Sequence, residues 1–388
     1  MHLPLNFGSL AKIMNAQSEN DWQSLRKDFP VVQNYTYLDT ASSGAISKRT
    51  TDCISNFFLD QLHHAAVNRK NWLDKIASAR ERAAELLGTQ PDQIGFTTDV
   101  SAGMNFIADR VNPEKEIVLI KDDFPSVNIP WVTRGFKIQW IEKEPDQSIS
   151  IDKISDAVSS GGKVLALSWV QYNSGFAIDL KEISEICQTS ETLLIVDGTQ
   201  GVGALPISLS ELNIDVLIAS SFKWQGAGYG ISLYYENKHS KFSYPIKLAG
   251  WNSLKRFSGE LTPENLKTNA PAIEAGHAKY VSLFALDESL KLMQEIGLSN
   301  IYNRNKMLSD RLTDKLREAD VKFHSPTSEN NSSTIICVKA TDELYHSLEK
   351  ENIKVTRRDD YIRFSVHFYN NEKDIDYVME VLNQVADK

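Results

Sequence analysis

Leu193-Leu194-Ile195-Val196-Asp197-Gly198-Thr199-Gln200, followed by Val216-Leu217-Ile218-Ala219-Ser220-Ser221-Phe222-Lys223-Trp224, decides how the rest of the chain is read. Each stretch opens with a short aliphatic run of the kind that fills a strand buried on both faces, as in parallel sheets. Each then reaches a charge. A carboxylate ending an apolar run sits at the edge of the core, where it is costly unless a cation meets it. A lysine set between Phe222 and Trp224 is partly stripped of water, which lowers its pKa and favours amine chemistry on a carbonyl. Gly226, Gly228 and Gly230 behind it permit close approach of a ligand. Taken singly, an aspartate at a strand end is mostly a cap or turn residue, and a lysine after a strand is mostly a surface one. Together the two ends, Asp then Gln beside Ser then Lys, make a signal that chance explains poorly.

Working outward, Ile117–Lys121, Lys163–Ser168, Thr192–Asp197, Ile214–Ser220 and Gly230–Tyr235 read as buried strands. Between them lie helix patterns such as Leu180–Thr189, preceded by Asp179 as N-cap, and Trp72–Leu87, which stops at Gly88. This alternation predicts an α/β fold with a doubly wound, mostly parallel sheet. The last third differs: helices over Ala275–Glu295 and Ser299–Ala319, strands at Ser333–Val338 and Tyr361–His367, and a helix from Glu372 to Ala386. That is the make-up of a smaller α+β domain. With 388 residues, two packed domains are expected. The division falls near Ser253–Leu261, giving a large domain over 20–255 and a small one over 256–388, onto which residues 1–19 can pack back.

A content of 41% hydrophobic and 24% charged residues with a net charge of −9 is that of a soluble globular protein and argues against nucleic-acid or membrane partners. Cys53, Cys187 and Cys337 show no CxxC spacing, so neither a disulfide frame nor a metal site is expected. The segment Met1–Gln17 lacks the charged start and long apolar run of a signal peptide. Cytoplasmic residence is the simple expectation. No GxGxxG follows the first strands, which disfavours a dinucleotide-binding protein.

The Asp197-Gly198-Thr199-Gln200 and Ser220-Ser221-Phe222-Lys223-Trp224 stretches resemble the core of the class V aminotransferase group of fold-type I pyridoxal-phosphate (PLP) enzymes. That group includes cysteine desulfurases, kynureninases and isopenicillin N epimerase-like proteins. The resemblance runs from Tyr37-Leu38-Asp39-Thr40-Ala41-Ser42-Ser43-Gly44 to Arg363-Phe364-Ser365-Val366-His367-Phe368-Tyr369-Asn370. It implies a large PLP-binding domain with a seven-stranded type of sheet and a homodimer with shared active sites. It further implies that Lys223 carries the cofactor as a Schiff base and then serves as acid and base at the substrate's α-carbon. Asp197 would pair with the pyridinium and Gln200 would lie near the ring hydroxyl. The phosphate would sit at the helix start Val100, Ser101 and Ala102, with a further hydroxyl from Ser220. Phe124 matches the position that stacks on the ring, where desulfurases generally have His. His277 falls where most relatives place a Thr reaching the partner subunit's phosphate.

For the substrate, Arg363 matches the family's carboxylate-binding arginine, since a planar bidentate donor suits a carboxylate. Arg358 matches a second one, with Arg357 beside it as a competitor for that role. Trp251, Tyr172, Asn173 and Ser42 are expected near the substrate. Cysteine desulfurases need a loop thiolate near the arginine, and Ile353–Tyr361 contains no Cys. The expected reaction is therefore transamination or a β-elimination (C–S lyase) on a small amino acid. Epimerase-like or kynureninase-like chemistry, or a non-catalytic PLP-fold regulator, are the alternatives.

Overall fold

A computed structural model of the chain describes residues 19–386 apart from 327, 329 and 359. Most of residues 1–19, expected against the small domain, lie outside the described part. Seven strands form the central sheet: β2 (Ile94–Thr97), β3 (Glu116–Ile120), β4 (Lys137–Ile141), β5 (Val164–Ser168), β6 (Leu193–Asp197), β7 (Val216–Ser220) and β8 (Ser232–Glu236), counting Thr36–Tyr37 as β1. Their order is β2-β8-β7-β6-β5-β3-β4, parallel throughout except for β8, which runs against both its neighbours. Every residue of β5, β6 and β7 is buried, as strands covered by helices on both faces must be. The fold is the expected α/β one. Register places Ser168 beside Asp197 and Asp197 beside Ile218, so the carboxyl ends of β5, β6 and β7 open onto one crevice.

Local chemistry sets the helix ends. Asp179 accepts the N–H groups of Lys181 and Glu182 at 2.9 and 3.1 Å, and Gly88 closes the Arg69–Leu87 helix in the left-handed region with φ of 61°, as glycine alone does cheaply. The long helix near residue 280 starts at Tyr280 and runs to Ile296. The residues just before it, to Ala275, are irregular because Ala270–Ile273 forms a separate 3₁₀ turn. This helix, on the C-terminal side of the sequence boundary, packs against Lys48–His64 and Arg69–Leu87. Buried Asp287 ties it down, accepting from Lys75 at 2.8 Å, Ser78 at 2.7 Å and Arg82 at 3.1 Å.

Beyond it, β9 (Ile335–Lys339), β11 (Thr356–Arg358) and β12 (Tyr361–Ser365) form an antiparallel sheet in the order β11-β12-β9. Leu308, Leu312, Leu348, Val378 and Leu382, from three helices, cover it. The N-terminal chain is woven into this unit. Strand β1 pairs in parallel with β10 (Ile353–Lys354), Leu38 lies in the same core, and Arg26 holds Asp374 through two bonds of 2.7 and 2.8 Å. Asp39 to Gly44 then pass from the small sheet to the large one.

Candidate active site

Outside the carboxyl edge of the large sheet lies a cavity of about 180 Å³. Asp197 and Lys223 both line it, at the ends of adjacent strands. Asp197 is 4% exposed. Its Oδ1 accepts the Thr199 N–H at 2.9 Å, and the Thr199 hydroxyl, fixed by the Ser220 N–H at 3.1 Å, also bonds to it. Burial pushes the carboxyl up to about 6, against the pull of Thr199 and the Lys223 charge. Lys223 is 9% exposed. Burial lowers its amine to about 8, Asp197 opposing the fall and Arg363 and Arg358 adding to it. Among the described residues neither Asp197 nor Lys223 forms an ion pair. Two opposite charges thus face one small cavity, each without a close counter-ion.

The walls are aromatic. Lys223 Nζ lies 5.6 Å from the centre of the Phe124 ring and 5.5 Å from that of Phe222, and Phe124 meets Tyr172 edge-on at 5.4 Å. Phe124 is held by buried Asp123, whose Oδ1 accepts the Phe124 N–H at 2.6 Å while Oδ2 accepts the Ser168 N–H at 2.8 Å. That one carboxylate ties the end of β3 to the end of β5. Gln200 also lines the cavity, its amide spanning the Ala41 carbonyl at 3.0 Å and the Trp224 indole N–H at 2.9 Å. The segment carrying Gly44 is pressed against the lysine. Gly44 N–H donates to the Phe222 carbonyl at 2.9 Å, and a Cβ on Gly44 would collide with the Lys223 carbonyl.

At the far side the Val100–Ala108 helix starts, with Val100, Ser101, Ser126 and Ser220 on the cavity. The Ser101 and Ser126 hydroxyls are 2.7 Å apart. Ala102 is not among the lining residues, and its N–H is taken by the N-cap Asp99 at 2.8 Å. Asp99, which sequence reasoning passed over, faces the cavity as well.

The arginines stand behind this cavity. Arg363 is 1% exposed and donates to the Tyr172 carbonyl at 2.9 Å and to Ser42 Oγ at 2.6 Å. Ser42 and Thr356 share a hydrogen bond, and Thr356 gives its proton to Asp39 at 2.6 Å. Ser42 also hydrogen-bonds Asp39, so two hydroxyls link the guanidinium to Asp39, which lies 3.8 Å from Arg363. Asp39 and Thr356 are further residues that sequence reasoning missed. For Asp39 the signal lay only in the Leu38-Asp39-Thr40 motif, and Thr356 carried none. Arg357 turns away, to Asp342 at 2.5 Å, while Arg358 lies over the Tyr172 ring at 5.7 Å. Trp251 and His277 are exposed, their rings tilted 60° to each other with centres 5.0 Å apart, and lie outside the cavity of their own chain.

The Aminotransferase class-V family profile matches residues 36–378. The chain belongs to that family. Its relatives include an uncharacterized aminotransferase, YcbU, of Bacillus subtilis, 24% identical over 92% of this chain and 96% of that one. A probable cysteine desulfurase of Pyrococcus abyssi is 21% identical over 94% and 97%. Among solved structures, the cysteine desulfurase of Thermococcus onnurineus NA1 superposes with a TM-score of 0.84 at 18% identity, covering 96% of this chain and 99% of that one. The cystine C–S lyase C-DES, solved with its product cysteine persulfide, gives 0.83 at 19% identity, over 91% and 98%.

Class-V enzymes depend on PLP, and this class-V chain fits that group. Asp197 offers an uncompensated carboxylate to a protonated ring nitrogen and Lys223 an amine of lowered pKa. Phe124 supplies a flat wall, and Ser101, Ser126 and Ser220 stand with a helix N-terminus where a phosphate is satisfied.

Proposed function

We propose that this protein is a PLP-dependent enzyme acting at the α-carbon of a small amino acid, by transamination or by β-elimination. One observation carries the reading: Lys223 and Asp197, both buried and among the described residues without ion pairs, line one cavity. PLP bound there would draw electrons from the substrate's α-carbon. The chain's own residues do the rest. Lys223 Nζ, with a pKa brought near 8 by burial, holds the cofactor and then exchanges a proton with that carbon, being a competent base and acid close to neutral pH. Asp197 keeps a positive charge on the ring nitrogen. Arg363 orients the substrate carboxylate, steadied by the Ser42–Thr356–Asp39 relay. Phe124, Phe222 and Tyr172 exclude water from the reacting carbon.

Transfer of sulfur to the protein is not supported by any thiol. Cys187 and Cys337 are buried, each pushed up to about 12 by burial, Cys53 is half-buried on the Lys48–His64 helix, and none lines the cavity. A sulfur-containing substrate would therefore release its leaving group rather than hand it to a cysteine. The three free thiols suit a cytoplasmic setting, and among the described residues no helix is long and apolar enough to cross a membrane.

A homodimer is part of this proposal. Phe58, Leu62 and Val67 expose 52, 74 and 82% of their surface along and just beyond the Lys48–His64 helix, and the exposed Trp251–His277 pair would reach the partner's site in such a dimer. Light scattering reads the oligomeric state.

Borohydride reduction followed by peptide mass spectrometry tests the central reading. The cofactor mass is expected on Lys223 and absent from Lys223→Ala. Incubation with L-amino acids then separates the two reactions: elimination releases ammonia and a keto acid together, whereas transamination yields a keto acid without ammonia. Covalent cofactor elsewhere, or none at all, defeats the reading.

A further inference from the structure

We propose that His367 is a positioning residue for Lys223: its Nε2–H holds the backbone beside the lysine and so keeps the amine aimed into the cavity. The inference rests on the reading that Lys223 holds PLP.

A lysine that must hold a cofactor and then move a proton needs a fixed backbone, and here the fixing comes from outside the segment. The carbonyls on either side of Lys223 are claimed by distant donors. Gly44 N–H donates to the Phe222 carbonyl at 2.9 Å, and His367 Nε2 lies 3.0 Å from the carbonyl of Trp224. The next carbonyl, that of Gln225, accepts the Ser289 hydroxyl, and Gly226 N–H closes the turn onto the Lys223 carbonyl at 2.9 Å. Trp224 is also held at its far end, its indole N–H on Gln200 and its ring edge-on to the imidazole at 5.3 Å.

The protonation of His367 follows from its surroundings. It is 2% exposed, and burial pushes its imidazole down to about 3, so near neutral pH the ring is uncharged and carries a single N–H. A carbonyl can only accept, which puts that hydrogen on Nε2. Nδ1 is left as an acceptor, 3.3 Å from the end of the fully buried Asn305 side chain. The two bond only when Asn305 turns its NH2 to the ring, and that NH2 otherwise has no partner. Asn305, on the Leu298–Glu318 helix, thereby sets the tautomer. His367 itself stands just beyond β12, the strand that carries Arg363. One strand thus delivers both the group that orients the carboxylate and the group that steadies the amine.

The test reads the rate at which apoprotein captures PLP, followed by its visible band as pH is raised, in wild type, His367→Met and His367→Gln. Methionine fills the space without a donor, whereas glutamine can place its NH2 where Nε2–H stands. The wild-type rate should level off just above pH 8. Loss of the bond frees the segment and lets water reach the amine. The His367→Met midpoint should therefore rise by about 1 pH unit or more, toward that of a solvated lysine, with the glutamine variant back near wild type. A His367→Met protein that melts earlier yet captures PLP with the wild-type profile has lost packing alone, and overturns the proposal. Should that variant fail to fold, nitrogen NMR of histidine-labelled wild type decides. Of the eight histidine signals, the one missing from His367→Gln must report an uncharged Nε2–H ring at neutral pH; an Nδ1–H or charged ring overturns the proposal. If borohydride places cofactor on Lys223 but the capture profiles coincide, this inference falls alone. If the wild type traps none there, the PLP reading falls and takes it along.

Discussion

Asp197→Asn is expected to raise the thermal stability of the cofactor-free protein at pH 8, because the wild-type site holds a buried carboxylate that only a bound cation would compensate. The size of the effect follows from the carboxyl's shift. Moving it from 3.8 to about 6 corresponds, at ~1.4 kcal/mol per pH unit, to roughly 3 kcal/mol of lost stability once both folded and unfolded forms are ionised. Asparagine keeps an oxygen for the Thr199 N–H but weakens the bond to the Thr199 hydroxyl, which returns about 1 kcal/mol. A net gain of ~2 kcal/mol remains, or a few degrees in midpoint for a chain of this size.

The pH dependence gives the effect its signature. Above pH 6 the folded apoprotein carries the penalty in full. Below 3.8 the carboxyl is protonated in both states and the penalty vanishes; near pH 4.5 it is down to about 1 kcal/mol, which the weakened Thr199 bond offsets, so the variant's advantage should be close to zero there. Thermal melts of the two apoproteins at matched scan rates, at pH 8 and pH 4.5, measure this directly. Adding PLP should reverse the order at pH 8, since ligand binding stabilises the wild type more. An Asn variant that melts at or below wild type at pH 8, or an advantage independent of pH, refutes the argument.

Other consequences are as direct. Because burial brings Lys223 to about 8, the rate at which apoprotein captures PLP should rise with pH and level off just above 8; a rate still climbing at pH ~10 would mark an ordinary solvated lysine. Gly44→Ala forces a Cβ onto the Lys223 carbonyl and should cost about 1–3 kcal/mol together with most of the borohydride-trapped cofactor, whereas Ser43→Ala keeps both. Cys53→Ser, Cys187→Ala and Cys337→Ala should each retain turnover, and loss of turnover with cofactor still bound would reveal a thiol step. Asp287→Ala strips Lys75, Ser78 and Arg82 of their common acceptor and should cost ~3 kcal/mol in urea unfolding, an amount that an isolated surface ion pair would not approach.

What could be read in advance depended on how far apart in sequence the cooperating atoms lie. Asp197 and Lys223 each end an aliphatic run, and a parallel sheet places such ends side by side, so local pattern carried both the strands and the reacting pair. Edge strand β4, Lys137-Ile138-Gln139-Trp140-Ile141, is only half covered and lacks the continuous apolar run that marked β5 to β7. The choice between Arg357 and Arg358 was undecidable from the chain alone, since both are arginines and strand alternation requires only that they part. Asp342, on the helix after β9, pairs with Arg357, while Arg358 lies over Tyr172. The relay that steadies Arg363 is the extreme case. Its four members come from the passage after β1, from β11 and from β12, hundreds of residues apart, and no periodicity links them. A serine, a threonine and an aspartate each have commonplace local uses as caps and turn formers. Only closure of the small sheet against the large one, with Asp39 bridged to Ser365, brings the two hydroxyls between the opposite charges. The order of the substrate-binding end of this site is therefore a property of how the two sheets meet, and substitutions that loosen that contact should act on substrate affinity before they act on the Lys223–Asp197 pair.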